Sequence, residues 1–145
     1  MSDAVARVRT GILSPDAIGF ESVVFARSGD HIHITVAGMC SAEDLELVVF
    51  ESGTRTTVVP VGSWCDANPR PYSLSAVVDV EPERTIIVRG LHDQESIRVG
   101  DLPEDLPVVC SPDPFGAQQP GPFLHRRGTR YVLMSQSDSA PAEVA

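Results

Sequence analysis

Two histidines one residue apart, His31 and His33, stand in the run GDHIHITVAG. On a strand, side chains two apart share a face and lie about 7 Å apart, a spacing at which two imidazoles can reach one metal ion. The pair resembles the start of a cupin metal motif, but the glutamate expected a few residues on is absent, since Thr35, Val36, Ala37, Gly38 and Met39 occupy that region. Two ligands without a nearby third do not make a metal centre, so the pair is read as exposed and structural, with no metal expected.

The remaining chemistry-bearing residues do not converge either. Cys40, Cys65 and Cys110 are an odd number with no close spacing, and none stands at a helix start, where the dipole would favour a thiolate. They are read as small buried hydrophobes in a reducing cytoplasm, an N-terminus without an apolar signal core agreeing with that location. Eight carboxylates between Asp79 and Asp105 fall at strand ends and turns, where solvation accounts for them. There is no Gly-x-Ser-x-Gly elbow, no glycine-rich phosphate loop and no Asp-x-Asp. All eleven basic residues are arginine, so a Schiff-base or P-loop lysine is excluded. No catalytic residue and no cofactor is assigned.

One cluster contrasts with its surroundings. The net charge is -9, yet His125, Arg126, Arg127 and Arg130 stand together beside Tyr131 and Phe123. Guanidinium forks hold carboxylates and phosphates by two points, and aromatic neighbours add contact area. His125, Arg126, Arg127, Arg130 and Tyr131 are therefore the candidate binding residues, for an acidic or anionic feature of a protein or glycan partner. Self-neutralisation of the protein's own acids is the competing reading. An overall polyanion disfavours nonspecific nucleic-acid binding, and no apolar run reaches the roughly 20 residues that span a bilayer, so neither nucleic acid nor membrane insertion is expected. The oligomeric state is not readable.

The elements that would position these residues are short β-branched runs bounded by Gly, Ser, Asp or Pro: FESVVFAR, HIHITVAG, DLELVVFE, TRTTVVPV, YSLSAVVDV, RTIIVRGL and ESIRVG, then Val108 to Cys110 and Arg130 to Met134. Gly53 marks a hairpin turn between the third and fourth, and His92-Asp93-Gln94 a second hairpin. In YSLSAVVDV, Tyr72, Leu74, Ala76, Val78 and Val80 fall on one face, which predicts a central core strand. No helix of three turns is found. At 145 residues the chain has the length of one domain. The expected fold is all-β, an immunoglobulin-like antiparallel β-sandwich of about seven to nine strands over 18–134. Residues 1–17 are expected to be a flexible arm or a weak first strand, and 135–145 a disordered polar tail.

The order and spacing of strands from Ile18 to Leu91, through GDHIHITVAG, LELVVFESGTRTTVVPV and YSLSAVVDV, resemble the immunoglobulin-like accessory domains that accompany some actinobacterial glycosyltransferases. The resemblance implies an accessory or assembly role without glycosyltransferase activity of its own. Together with the lack of a convergent catalytic set, it predicts a non-catalytic binding or accessory module. The alternative is a small β-barrel enzyme of secondary metabolism, a cyclase, isomerase or hydrolase, which would need an apolar pocket inside the β core.

Overall fold

A computed structural model of the chain describes residues 7–9, 17–63, 65, 68–112 and 121–134. Every regular element but one 3-10 turn, Val99–Asp101, is a strand. In chain order these are β1 (Arg7–Arg9), β2 (Ser22–Ser28), β3 (His31–Met39), β4 (Glu46–Ser52), β5 (Arg55–Val61), β6 (Pro71–Asp79), β7 (Thr85–Arg89), β8 (Gln94–Arg98), β9 (Val108–Cys110), β10 (Phe123–Arg127) and β11 (Arg130–Met134). They form a five-stranded sheet, β1-β4-β5-β7-β8, and a six-stranded sheet, β11-β10-β9-β2-β3-β6. The two sheets pack face to face as a sandwich.

Alternation explains the packing. Along β6 the burial is strictly two-periodic, with Tyr72, Leu74, Ala76 and Val78 inward and Ser73, Ser75, Val77 and Asp79 outward. β3 repeats it with Ile32, Ile34 and Val36. From the other sheet Leu47, Val49, Val58, Ile86, Val88 and Ile97 meet them in one continuous core with Val23, Phe25 and Val108. Each such fully buried aliphatic or aromatic side chain contributes about 1.5–3 kcal/mol of transfer free energy.

The described residues form eleven strands where seven to nine are expected, and three of their ladders are parallel: β1 with β4, β5 with β7, and β9 with β10. The middle pair is parallel because the chain leaves β5, crosses to the opposite sheet for β6 and crosses back. The last needs a long return, supplied by the Pro- and Gly-rich stretch 111–122. One strand is not expected from the sequence, Phe123–Arg127, whose charges mask its pattern; Arg7–Arg9 falls in the segment read as an arm or a weak first strand. Residues 1–6, 10–16 and 135–145, which hold the rest of the arm and the tail, lie outside the described residues, as does Trp64.

β6 is not central. Among the described residues it pairs only with β3 and forms one edge of its sheet. Clean alternation reports that one face is covered by the facing sheet, and it carries no information about neighbours within the sheet.

The reading of the cysteines needs a larger correction. Cys40 and Cys65, 25 residues apart in sequence, form a disulfide with their Cα atoms 4.8 Å apart. Cys40 directly follows β3 and its amide donates to the Arg70 carbonyl, so the entry to β6 is held beside it and the loop that carries Cys65 is brought within reach. Only Cys110 is free, and it is buried. Of the two grounds for a reducing cytoplasm, the one drawn from cysteines without partners is therefore removed. Among the described residues no helix is long and apolar enough to cross a membrane.

Candidate binding surface at the terminal hairpin

β10 and β11 form a hairpin closed by Gly128-Thr129, with Gly128 at φ +65°, a left-handed conformation that glycine adopts without a Cβ clash. The register pairs Arg127 with Arg130, Arg126 with Tyr131 and His125 with Val132. Because side chains alternate, the five candidate residues do not form one surface. Arg126 and Tyr131 face the neighbouring sheet, while His125, Arg127 and Arg130 point to the outer face.

His125 is only 2 % exposed, and its Nε2 donates to the Ser111 carbonyl at 2.6 Å. Val24, Val109 and Phe123 are buried on the same outer face, with Met134 packed on them. His125 holds this outer cluster and the start of the long return in place, and a partner cannot reach it.

Arg126 spans the gap between the sheets. One terminal nitrogen donates to the Ser96 carbonyl at 2.5 Å, and the other lies 3.4 Å from Glu95 Oε1. β8 is an edge strand, and just after it the Val99 amide donates to the Arg84 carbonyl. Antiparallel alternation then turns the Ser96 carbonyl toward the open edge, where the guanidinium caps it. For this residue the self-neutralising reading is the one observed.

Arg127, Arg130 and Tyr131 remain exposed. Arg127 and Arg130 are directly opposed across the ladder, an arrangement that destabilises when the charges are alike. Neither guanidinium has an ion-pair partner among the described residues, whereas Arg27, Arg84 and Arg126 each meet a glutamate. Beneath the hairpin tip, Tyr131, Arg126, Arg98, Ser96, Thr85 and Asp101 line an open groove of about 450 Å³. Arg98 adds a third exposed guanidinium to the neighbourhood. The arrangement can hold an anionic group at the tip and an extended segment in the groove.

The other groups with possible chemistry lie elsewhere. His31 and His33 project from the outer face of β3, and His31 Nδ1 is 3.6 Å from Asp79 Oδ1. Among the described residues no three His, Cys, Asp or Glu side chains gather. Cys110 sits inside the sandwich, where burial pushes its thiol up to about 11 against a smaller opposing pull from Arg126. A second groove, of about 520 Å³, runs over Ser22, Ala37 and Gly38 between Met39, Pro71 and Tyr72. Tyr72 has a structural task there: its hydroxyl donates to the Gly19 carbonyl at 2.5 Å, and its ring lies so close to Gly38 that a Cβ would come within 3.0 Å of it. Burial, and next to it the charge of Glu21, push the phenol pKa up, so Tyr72 stays protonated.

Sequence reasoning could have found the hairpin from Arg-Gly-Thr-Arg between two apolar runs. The capping role of Arg126 had no local signal, because Ser96 is thirty residues away. Compared with protein-family models, with curated proteins and with solved structures, the chain matches none.

Proposed function

We propose that the chain is a non-catalytic binding or accessory module that captures an anionic segment of a protein or glycan at the tip of the β10–β11 hairpin. The observation that carries this reading is the opposed pair Arg127 and Arg130, two exposed like charges without acidic partners among the described residues, on a molecule of net charge -9. A local field of opposite sign to the global one orients an anionic partner, and an incoming carboxylate, sulfate or phosphate relieves the repulsion. Tyr131 and Arg98 line the groove on the opposite face of the hairpin, which a segment held by the arginines reaches over the Gly128-Thr129 tip. Nucleic acid is a poor candidate, because the rest of the surface repels a long polyanion.

The interior supports the module over the enzyme. A β-barrel enzyme would keep an apolar cavity in its core, and here the space between the sheets is filled by Phe25, Ile32, Ile34, Leu47, Leu74 and Ile86. The likeness to accessory domains of actinobacterial glycosyltransferases agrees with this reading. The Cys40–Cys65 bond supports an oxidising working environment in place of the cytoplasm.

The test is titration of the full chain with an oligo-glutamate peptide and with a sulfated oligosaccharide at low salt. One of them is expected to bind, with affinity falling at least about tenfold in Arg127→Ala/Arg130→Ala and falling likewise as salt shortens the Debye length. Equal affinity of the double variant at low salt would reject the hairpin tip as the site.

A further inference from the structure

The sandwich has exposed sheet edges, and two of them are blunted. β8 has its outward carbonyl at Ser96 capped by Arg126 and ends in the Val99–Asp101 turn. β6 begins with Pro71, which lacks an amide donor, and ends on Asp79. Proline, charge and covering groups are the ordinary devices that keep edges from pairing. Among the described residues β11 has none within Tyr131–Met134. Its sequence is Arg-Tyr-Val-Leu-Met, and Tyr131, Val132 and Leu133 are 42, 41 and 64 % exposed.

We infer that β11 is a self-pairing edge, joining two copies of the chain antiparallel about a two-fold axis at Val132 and fusing their six-stranded sheets. The hydrogen-bonding parity comes first. A two-residue turn makes Arg127–Arg130 the closing bonded pair, so Val132 and Met134 also bond inward to β10. The Leu124 amide agrees, since it turns away from β11 to the Pro107 carbonyl. Tyr131 and Leu133 therefore direct their amides and carbonyls to the open edge.

In the antiparallel register centred on Val132, Tyr131 of each copy meets Leu133 of the other, which are the residues with outward groups. Four intermolecular hydrogen bonds close, two on each side of the axis. The side chains match as well. Tyr131 lies against Leu133, an aromatic–aliphatic pair, Val132 lies against itself, and Arg130 lies opposite Met134. A register centred on Arg130 would oppose the two arginines directly, and the Val132 register avoids that. It also sends the two hairpin tips, each with its Arg127–Arg130 pair, to opposite ends of the junction. A second copy is thus an occupant whose backbone groups match those of this strand while its like charge is kept away from Arg130. Five paired residues make a junction below the roughly 1,200 Å² of stable complexes, so the dimer is weak and dissociates on dilution.

Sedimentation of the full chain over a range of concentrations tests this. A monomer–dimer equilibrium in the micromolar range or weaker is expected. Leu133→Pro removes an amide that only the partner uses, so it keeps the fold by circular dichroism while weakening the dimer at least about tenfold. Val132→Cys places two thiols across the axis in a non-hydrogen-bonded pair, with Cα atoms about 4.5 Å apart. It should give an oxidised covalent dimer, whereas Arg127→Cys should not. A monomer at every concentration would overturn the proposal. So would a dimer indifferent to Leu133→Pro, or equal cross-linking by the two cysteine variants.

Discussion

At the scale of single residues, the terminal arginines show how identical chemistry is divided by side-chain direction. Arg126 points inward and is bonded to Ser96 and Glu95, so Arg126→Ala leaves an edge carbonyl and a half-buried carboxylate without their donor. A loss of about 2 kcal/mol is expected from charge-assisted bonds of this kind, read as a lower urea midpoint. Arg127→Ala or Arg130→Ala should change stability by less than about 0.5 kcal/mol, or raise it slightly, because each relieves a like-charge opposition. Equal losses at all three positions would contradict the division.

Cys110 makes a second prediction at this scale. Its thiol is raised from 9.0 to about 11 by burial, so the native state binds its proton more tightly than the unfolded chain. The stability that this contributes is complete below pH 9 and is lost as the pH climbs toward 11. Tyr72, shifted in the same direction, adds to the alkaline loss. Urea midpoints measured between pH 8 and 10.5 should fall for the wild type and fall less steeply for Cys110→Val. Parallel slopes would remove the thiol from the account.

At the scale of elements, β6 shows that an edge strand can still be a principal part of a core. All four of its inward side chains are under the facing sheet, with Leu74 1 % exposed. Leu74→Ala is therefore expected to cost about 2–5 kcal/mol, the range for a buried leucine truncated without collapse of its surroundings. An unchanged denaturation midpoint would show that the facing sheet does not close over this position. The outward positions, Ser73 and Ser75, should tolerate alanine within about 0.5 kcal/mol, because both are exposed and the Ser75 hydroxyl meets the Thr35 hydroxyl at a long 3.4 Å.

For the molecule as a whole, the Cys40–Cys65 bond ties the end of β3 to the loop before β6. Closing a loop of that length constrains the unfolded chain by about 3 kcal/mol in the chain-entropy view. Dithiothreitol should lower the urea midpoint by a corresponding amount. Alkylation of the denatured, unreduced protein should label one of the three cysteines, Cys110, and all three only after reduction. Three labels without reduction would mean that the bond does not form in the isolated protein.

The sequence by itself determined the class of fold and most of the strands, because period-two burial and turn residues are local properties. Ile32, Ile34 and Val36, or Leu74, Ala76 and Val78, specify an inward face wherever the strand is placed, and Gly53 specifies its hairpin. It also marked the terminal arginines through their contrast with an acidic chain. Relations between distant segments, by contrast, are set only when the two sheets assemble. Which strands are edges, which ladders run parallel, that Cys40 meets Cys65, and that Arg126 reaches Ser96 all depend on how strands are ordered across two sheets. Strand order leaves no trace in the periodicity of any one strand, since a side chain's burial depends on the sheet it faces and hardly on the strands beside it.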